Sequence, residues 1–206
     1  MGLSVQQIEA ATAALAAADA RLGAAIARLG APPPRIRSRG PETLLRAIIG
    51  QQVSVKAAAS IWARLEALVG GDAGDVAALA ALPVDALRGA GLSGQKASYA
   101  HALAGAVLSG ALDFGALPAD DEDAIAALTA VKGVGRWTAE IYLLFAEGRG
   151  DVFPGGDLAV QIELARLLGA AERPGERETR RLAAPFAPHR GTLAMLCWHS
   201  YNSSTL

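Results

Sequence analysis

Only one cysteine, Cys197, occurs in the 206 residues, so the chain cannot build an internal disulfide framework, and that thiol alone cannot hold an iron–sulfur cluster or a structural zinc. A reducing cytoplasm fits. Aromatic residues make up 5% of the chain and β-branched runs are scarce, while alanine and leucine dominate, which excludes a strand-rich design and favours an all-α fold. Charge of one sign is also lacking. Nineteen basic residues against twenty acidic ones give a net charge of −1, which excludes the global electrostatic footprint of a tight nucleic-acid binder. Any DNA contact must come from a local patch, oriented backbone amides or a bound cation, and must weaken with salt. No run reaches the roughly 18 uncharged apolar residues of a membrane span. The alanine-rich stretch 10–31 is broken by Asp19, Arg21 and Arg28, with Glu9 just ahead and no basic region before it, so it does not read as a signal peptide. His101, His189 and His199 do not group with acids or Cys197 at metal-ligand spacing, which argues against a catalytic metal.

What is present is a 52% hydrophobic chain, enough for a sizeable core in one or two lobes. Ser4 with Gln7 forms a capping box for a first helix carrying Ile8, Leu15, Leu22, Ile26 and Leu29, which stops at Gly30 before Pro32, Pro33 and Pro34. Pro41 starts a second helix ending at Gly50, and Ser54 caps a third through Leu68. Pro83 opens a short helix to Arg88, Ser93 caps a longer one towards Leu108, and Asp120, Asp121 and Asp123 favour a helix start ahead of Ile125. Spans 136–147, 158–168, 176–184 and 190–201 complete roughly ten helices, without an internal repeat.

Residues 128–160 carry the chemistry. The Gly133-Val134-Gly135 turn suits close approach of a phosphate, since both glycines allow positive φ and the next helix aims amides and its dipole there. The plain alternative is an αα-hairpin whose glycines only turn the corner. Asp157 follows Gly135 by 22 residues, after Phe153, Pro154, Gly155 and Gly156, at the start of an apolar helix. It reads as an N-cap, and a cap also preorganises a carboxylate for electrostatic catalysis. Gln51 and Gln52 form a short junction between two strong helices, and Trp137 and Trp198 lie on amphipathic helices where core burial is the common role.

Together, the hairpin with its Gly135-Arg136-Trp137-Thr138-Ala139 continuation, the approach Asp151-Val152-Phe153-Pro154 to Asp157, and the stretch from Ile49 through Gln51 and Gln52 to Val55 resemble the helix-hairpin-helix DNA glycosylase superfamily. The similarity runs from about Pro41 to Trp198 and points to the 3-methyladenine DNA glycosylase II branch. It implies an all-α fold of two helical lobes with a helix-hairpin-helix motif and a DNA-binding, active-site cleft between them. Lobe one is expected to span about 1–48 plus 158–206 and lobe two about 49–157. The chain looks like a compact catalytic core without the amino-terminal β domain of larger bacterial members.

The resemblance further implies a role for each matching position. Asp157 would stabilise the oxocarbenium-like sugar and help orient or deprotonate the attacking water. Residues 131–135 would bind a phosphate 3′ of the lesion through Lys132, Gly133, Val134, Gly135 and Arg136. With DNA bound, the carbonyls of Thr129, Val131 and Val134 would hold a monovalent K+ or Na+, and no other cofactor is required. Gln52 would be the wedge filling the gap left by the flipped nucleotide, and Trp137 and Trp198 would line the base pocket. Bifunctional relatives carry a lysine at the Trp137 position, so the expected enzyme is monofunctional and lacks lyase activity. A cationic alkylated purine is a ready leaving group that would also stack on an indole. The expected partner is double-stranded DNA containing damaged bases, bound by a monomer in a bacterial cytoplasm at the nucleoid. Lys132 stands where the family has proline and Gln52 where it has a bulky apolar wedge, which bears on affinity and substrate range. Two alternatives stay open: a noncatalytic DNA-binding module, and a glycosylase for deaminated or mismatched bases. Pro188 and Arg190 also resemble a family pattern, although Arg190 fits a solvated helix start equally well.

Overall fold

Polar side chains at the helix starts set most of the element boundaries. In the computed structural model, which describes residues 2–204, Ser4 and Gln7 form the expected reciprocal capping box, Ser54 accepts the amide of Ala57, Ser93 that of Lys96, and Asp120 those of Glu122 and Asp123. The resulting order is α1 (Val5–Ala18), α2 (Ala20–Leu29), α3 (Pro41–Gly50), α4 (Val55–Leu68), α5 (Val76–Ala81), α6 (Val84–Gly89), α7 (Gly94–Leu108), α8 (Asp121–Thr129), α9 (Arg136–Tyr142), α10 (Leu158–Leu167), α11 (Glu176–Ala183) and α12 (Arg190–Ser204). A π-helical turn (Leu143–Glu147) continues α9, and a 3-10 turn (Ala184–Phe186) follows α11. Among the described residues every regular element is helical. None of these helices is long and apolar enough to cross a membrane.

Two expectations are corrected. The first helix is not continuous: Asp19 adopts φ −148, ψ 121, and its carboxylate accepts the amides of Arg21 and Leu22, so α1 ends and α2 begins there. The carboxylate offers those amides a partner outside the helix ladder, and this local bond overrides the alanine-rich helix propensity around it. The span 136–147 is likewise not one α-helix, because the ladder changes to π geometry at Leu143, a departure frequent near functional sites.

The chain forms two units. One runs to Arg37 and resumes at Leu143; the other is Ser38–Tyr142. These divisions differ from the expected 48/49 and 157/158. The reason is that α3 buries Leu44, Leu45, Ile48 and Ile49 and packs on α4, α7 and α9, so it belongs with the second unit. In that unit α7 is the hub, packing on α3, α5 and α6 around Leu79, Leu87, Ala100 and Leu103. The Gly40 amide donates to the Tyr142 hydroxyl at 2.9 Å, joining its two ends. In the first unit α1 packs on α2 and α12, and α10 on α12, around Ile8, Leu15, Leu22, Leu164, Leu193 and Leu196. The loop preceding α3 runs back across this unit, where the Arg37 amide donates to the Phe145 carbonyl at 2.8 Å.

Candidate active site

In the second unit, α8, residues 130–135 and α9 form the expected helix-hairpin-helix. Leu128 and Val131 anchor its inner side, and the Val134 amide donates to the Val131 carbonyl at 3.0 Å, closing the turn. The two glycines have different reasons to be there. Gly133 lies at φ 96, and a Cβ on it would fall 2.2 Å from Cγ of Tyr99, so α7 leaves no room for a side chain. Gly135 does not adopt positive φ, and a Cβ there would meet nothing within 4 Å. Its missing side chain keeps space open in front of the turn, at the start of α9 where amides have no acceptor inside the helix.

The polar residues around this turn are held unequally. The Lys132 ammonium donates to the Ser98 hydroxyl at 3.4 Å and is otherwise exposed. The Arg136 guanidinium is clasped by Glu122 and by buried Glu140, with Nε donating to Glu140 at 2.9 Å. Hydrogen bonding to Glu122 is the main cause that raises its pKa, against burial. These carboxylates compensate much of its charge. Thr129, Val131 and Val134 offer backbone carbonyls, hard oxygen donors of the kind that suits an alkali cation, and the Val131 carbonyl keeps a second lone pair beyond its bond to Val134. No group of three or more His, Cys, Asp or Glu side chains among the described residues could hold a metal ion. Trp137, in the first turn of α9, is 45% exposed.

Gln52 lies in the same unit, exposed, with φ 55, the one positive φ among the described non-glycine residues. For an L-residue this conformation costs about 1–2 kcal/mol. The preceding Gln51 donates its side-chain amide to the Gly133 carbonyl at 3.2 Å, tying this junction to the hairpin.

Asp157 is in the first unit and caps α10. One carboxylate oxygen accepts the Val160 amide at 3.0 Å and also the indole N–H of Trp198 at 3.1 Å. Trp198 is only 9% exposed, and its ring lies 5.7 Å from that of Phe145, with the Arg35 guanidinium 5.5 Å from its centroid. Its clearest role is to fix the orientation of the Asp157 carboxylate. The loop leading to Asp157 is clamped from several sides. Arg180 donates to the Phe153 carbonyl at 2.7 Å, and buried Gln161 donates to the Gly155 carbonyl at 3.0 Å while accepting from Arg173 at 2.7 Å. A Cβ on Gly155 would meet Cγ of Arg180 at 2.7 Å.

Arg190 is not a solvated helix-start residue. Its Nε and a terminal nitrogen donate to the two oxygens of Asp151 at 2.9 and 2.7 Å, pinning α12 to the same loop. Burial opposes ionisation of Asp151, yet the Arg190 hydrogen bonds prevail and hold its pKa below the ordinary value. Behind Asp157, the Cys197 thiol is buried, and desolvation together with the Glu163 and Asp157 charges pushes its pKa far up, so it is an inert core group. The sequence reading missed Gln161, Arg180 and the Asp151 partner of Arg190, and also Lys96 and Tyr99 beside the hairpin. All act across at least six residues of sequence, where periodicity carries no signal.

Comparison with known proteins identifies the family. Residues 45–188 match the HhH-GPD superfamily of base excision DNA repair proteins. DNA-3-methyladenine glycosylase 2 of Escherichia coli is 31% identical over 165 residues, covering 76% of this chain and 56% of that protein. DNA-3-methyladenine glycosylase 1 of Schizosaccharomyces pombe is 29% identical over 160 residues, covering 76% of this chain and 70% of that protein. A solved DNA-3-methyladenine glycosidase from Bacillus halodurans superposes with a TM-score of 0.88 at 33% identity, covering 98% of this chain and 93% of its own. The S. pombe 3-methyladenine DNA glycosylase in complex with abasic DNA gives 0.81 at 27% identity, over 96% and 97% of the two chains. A chain with this hairpin, this capped aspartate and this match belongs to the HhH-GPD superfamily of base excision DNA repair proteins.

Proposed function

We propose that this chain is a monofunctional DNA glycosylase that extrudes alkylated purines such as 3-methyladenine from duplex DNA and hydrolyses the N-glycosidic bond. The observation that carries the reading is Asp157, a carboxylate held by an α10 amide and an indole N–H, on a loop clamped by Arg180, Gln161 and the Asp151–Arg190 pair. As the C1′–N bond breaks, its electrons leave with the base and positive charge spreads over the sugar C1′ and ring oxygen. A fixed anion stabilises that charge without reorganising. Water oriented by Asp157 then adds at C1′ and passes a proton to that carboxylate and on to solvent, leaving an abasic site. A base already cationic from alkylation needs no protonation to depart, so one carboxylate suffices.

The hairpin would grip a backbone phosphate through its amides and Lys132, with Arg136 contributing less because Glu122 and Glu140 share its charge. A K+ or Na+ on the Thr129, Val131 and Val134 carbonyls would add positive charge there. Gln52 would enter the gap left by the flipped nucleotide, and Trp137 would face the base. Absence of lyase activity is supported by the lysine inventory. The chain has three lysines, Lys56, Lys96 and Lys132, and none stands at the position of Trp137, where bifunctional relatives carry the Schiff-base former.

The test uses duplexes with single defined lesions, incubated with the protein and developed with alkali to reveal abasic sites. Release of 3-methyladenine or another alkylated purine, without strand breaks before alkali, is expected. Release restricted to uracil, hypoxanthine or mismatched pyrimidines would replace the substrate class. No release of any base would leave a DNA-binding module. A lysine adduct trapped by borohydride would overturn the monofunctional assignment.

A further inference from the structure

The left-handed Gln52 is the second half of a specific turn. Gln51 precedes it at φ −58, ψ 126, so the pair occupies the two central positions of a type II turn, where the second place favours glycine or asparagine. Flipping the single peptide between Gln51 and Gln52 would give a type I turn and return Gln52 to negative φ. The atom that moves most in that flip is the Gln51 carbonyl oxygen.

That oxygen is held. The Lys96 ammonium donates to it at 2.6 Å and to the Ile49 carbonyl, at the end of α3, at 2.7 Å. Lys96 arises in the first turn of α7, where Ser93 caps its amide, and α7 packs on α3. Burial lowers its pKa, as expected for an ammonium drawn from solvent onto carbonyls. The turn and α7 each reach the hairpin: the Gln51 side chain donates to the Gly133 carbonyl, and Tyr99, one turn beyond Lys96 in α7, lies against Gly133.

We propose that Lys96 is a positioning residue for base extrusion: by holding the Gln51 carbonyl it selects the strained turn that presents Gln52, and through Gln51 and Tyr99 it fixes Gln52 relative to the hairpin. The proposal rests on the glycosylase reading above. A wedge works against the stacking energy of the duplex, so it must be braced against the element that grips the phosphate. Strain of this kind persists only where surrounding bonds over-determine it. Lys96 touches neither the sugar nor the base, so its effect falls on extrusion and not on bond cleavage.

The experiment compares wild type, Lys96→Met and Lys96→Arg at a temperature where all three are folded by circular dichroism. Single-turnover excision is measured with one lesion in a fully paired duplex and with the same lesion in an unpaired bulge, where less extrusion work remains. With Lys96→Met the paired rate should fall about tenfold or more, as expected for losing hydrogen bonds from a charged donor. The bulge rate should change much less, and Lys96→Arg should recover most of the paired rate. Equal losses on both substrates, or an unchanged paired rate, would overturn the proposal. A crystal structure of Lys96→Met separates this outcome from failure of the glycosylase reading. Gln52 at negative φ supports the turn-holding role even if wild type releases no base, and Gln52 retained at positive φ overturns it.

Discussion

Replacing Gly133 and Gly135 separately by alanine tests whether one glycine serves the fold and the other the ligand. At Gly133 an L-residue is forced to φ 96, which costs about 1–2 kcal/mol, and its Cβ would fall 2.2 Å from Tyr99 Cγ, an overpacking worth about 1–3 kcal/mol. The sum is about 2–5 kcal/mol. At about 2–4 °C per kcal/mol for a chain of this size, the unfolding midpoint should fall by about 4–20 °C. Adding Tyr99→Ala to Gly133→Ala should restore the steric part and leave the backbone part. Gly135→Ala meets nothing within 4 Å and has no positive φ, so its stability should stay unchanged or rise by about 0.4–1 kcal/mol. The new methyl would stand where a phosphate approaches, so duplex affinity should fall. Thermal denaturation and fluorescence anisotropy against lesion duplexes read the two effects. A fully stable Gly133→Ala, or a Gly135→Ala protein that binds DNA like wild type, would refute the reasoning.

Two further outcomes follow from contacts of Trp198 and Asp19. Trp198→Phe keeps a ring beside Phe145 and removes the N–H that reaches Asp157, so stability should fall by about 1.5–3 kcal/mol, and excision should slow while duplex affinity holds. A wild-type excision rate in that variant would show that the indole does not orient the carboxylate. Hydrogen bonding from Arg21 lowers the Asp19 pKa from 3.8 to about 2, so the stability it contributes is complete above pH 3.8 and is lost as pH falls towards 2. Asp19→Asn should flatten the acid limb of a stability–pH profile in that window. Parallel limbs for the two proteins would contradict the assignment.

The parts of this fold that were legible in sequence are those written in local chemistry. Ser4, Ser54, Ser93 and Asp120 each bond amides two or three residues ahead, so their helices start where their side chains say. Asp19 is the instructive exception. It sits in an alanine-rich stretch with no proline and no glycine beside it, and its capping role appears only once the chain has turned. Six-residue α5 escaped notice because one helical turn and a half shows too little periodicity, although Asp75 caps it. Within the site, Asp157 was visible as a cap, but its indole partner lies 41 residues away, and Lys96 lies 45 and 47 residues from the carbonyls it holds. Such pairings belong to tertiary packing. Similarly, the GxG pattern presents Gly133 and Gly135 as equivalent, and only the positive φ of Gly133 and its contact with Tyr99 tell them apart.

The central claim is that the charge of Asp157, beyond its capping bonds, drives base release. Asparagine caps helices about as well as aspartate and can accept the same bonds from Val160 and Trp198, so Asp157→Asn removes the charge with little change in stability. A unit charge about 4 Å from the developing cation at an effective dielectric of about 20 is worth about 4 kcal/mol, or roughly a thousandfold in rate. The decisive measurement is the single-turnover excision rate of wild type and Asp157→Asn on a duplex with one alkylated purine, alongside their affinities for that duplex. The account predicts a loss of roughly two to three orders of magnitude in rate with affinity preserved. An Asp157→Asn protein that binds the duplex and excises the base at the wild-type rate would contradict it.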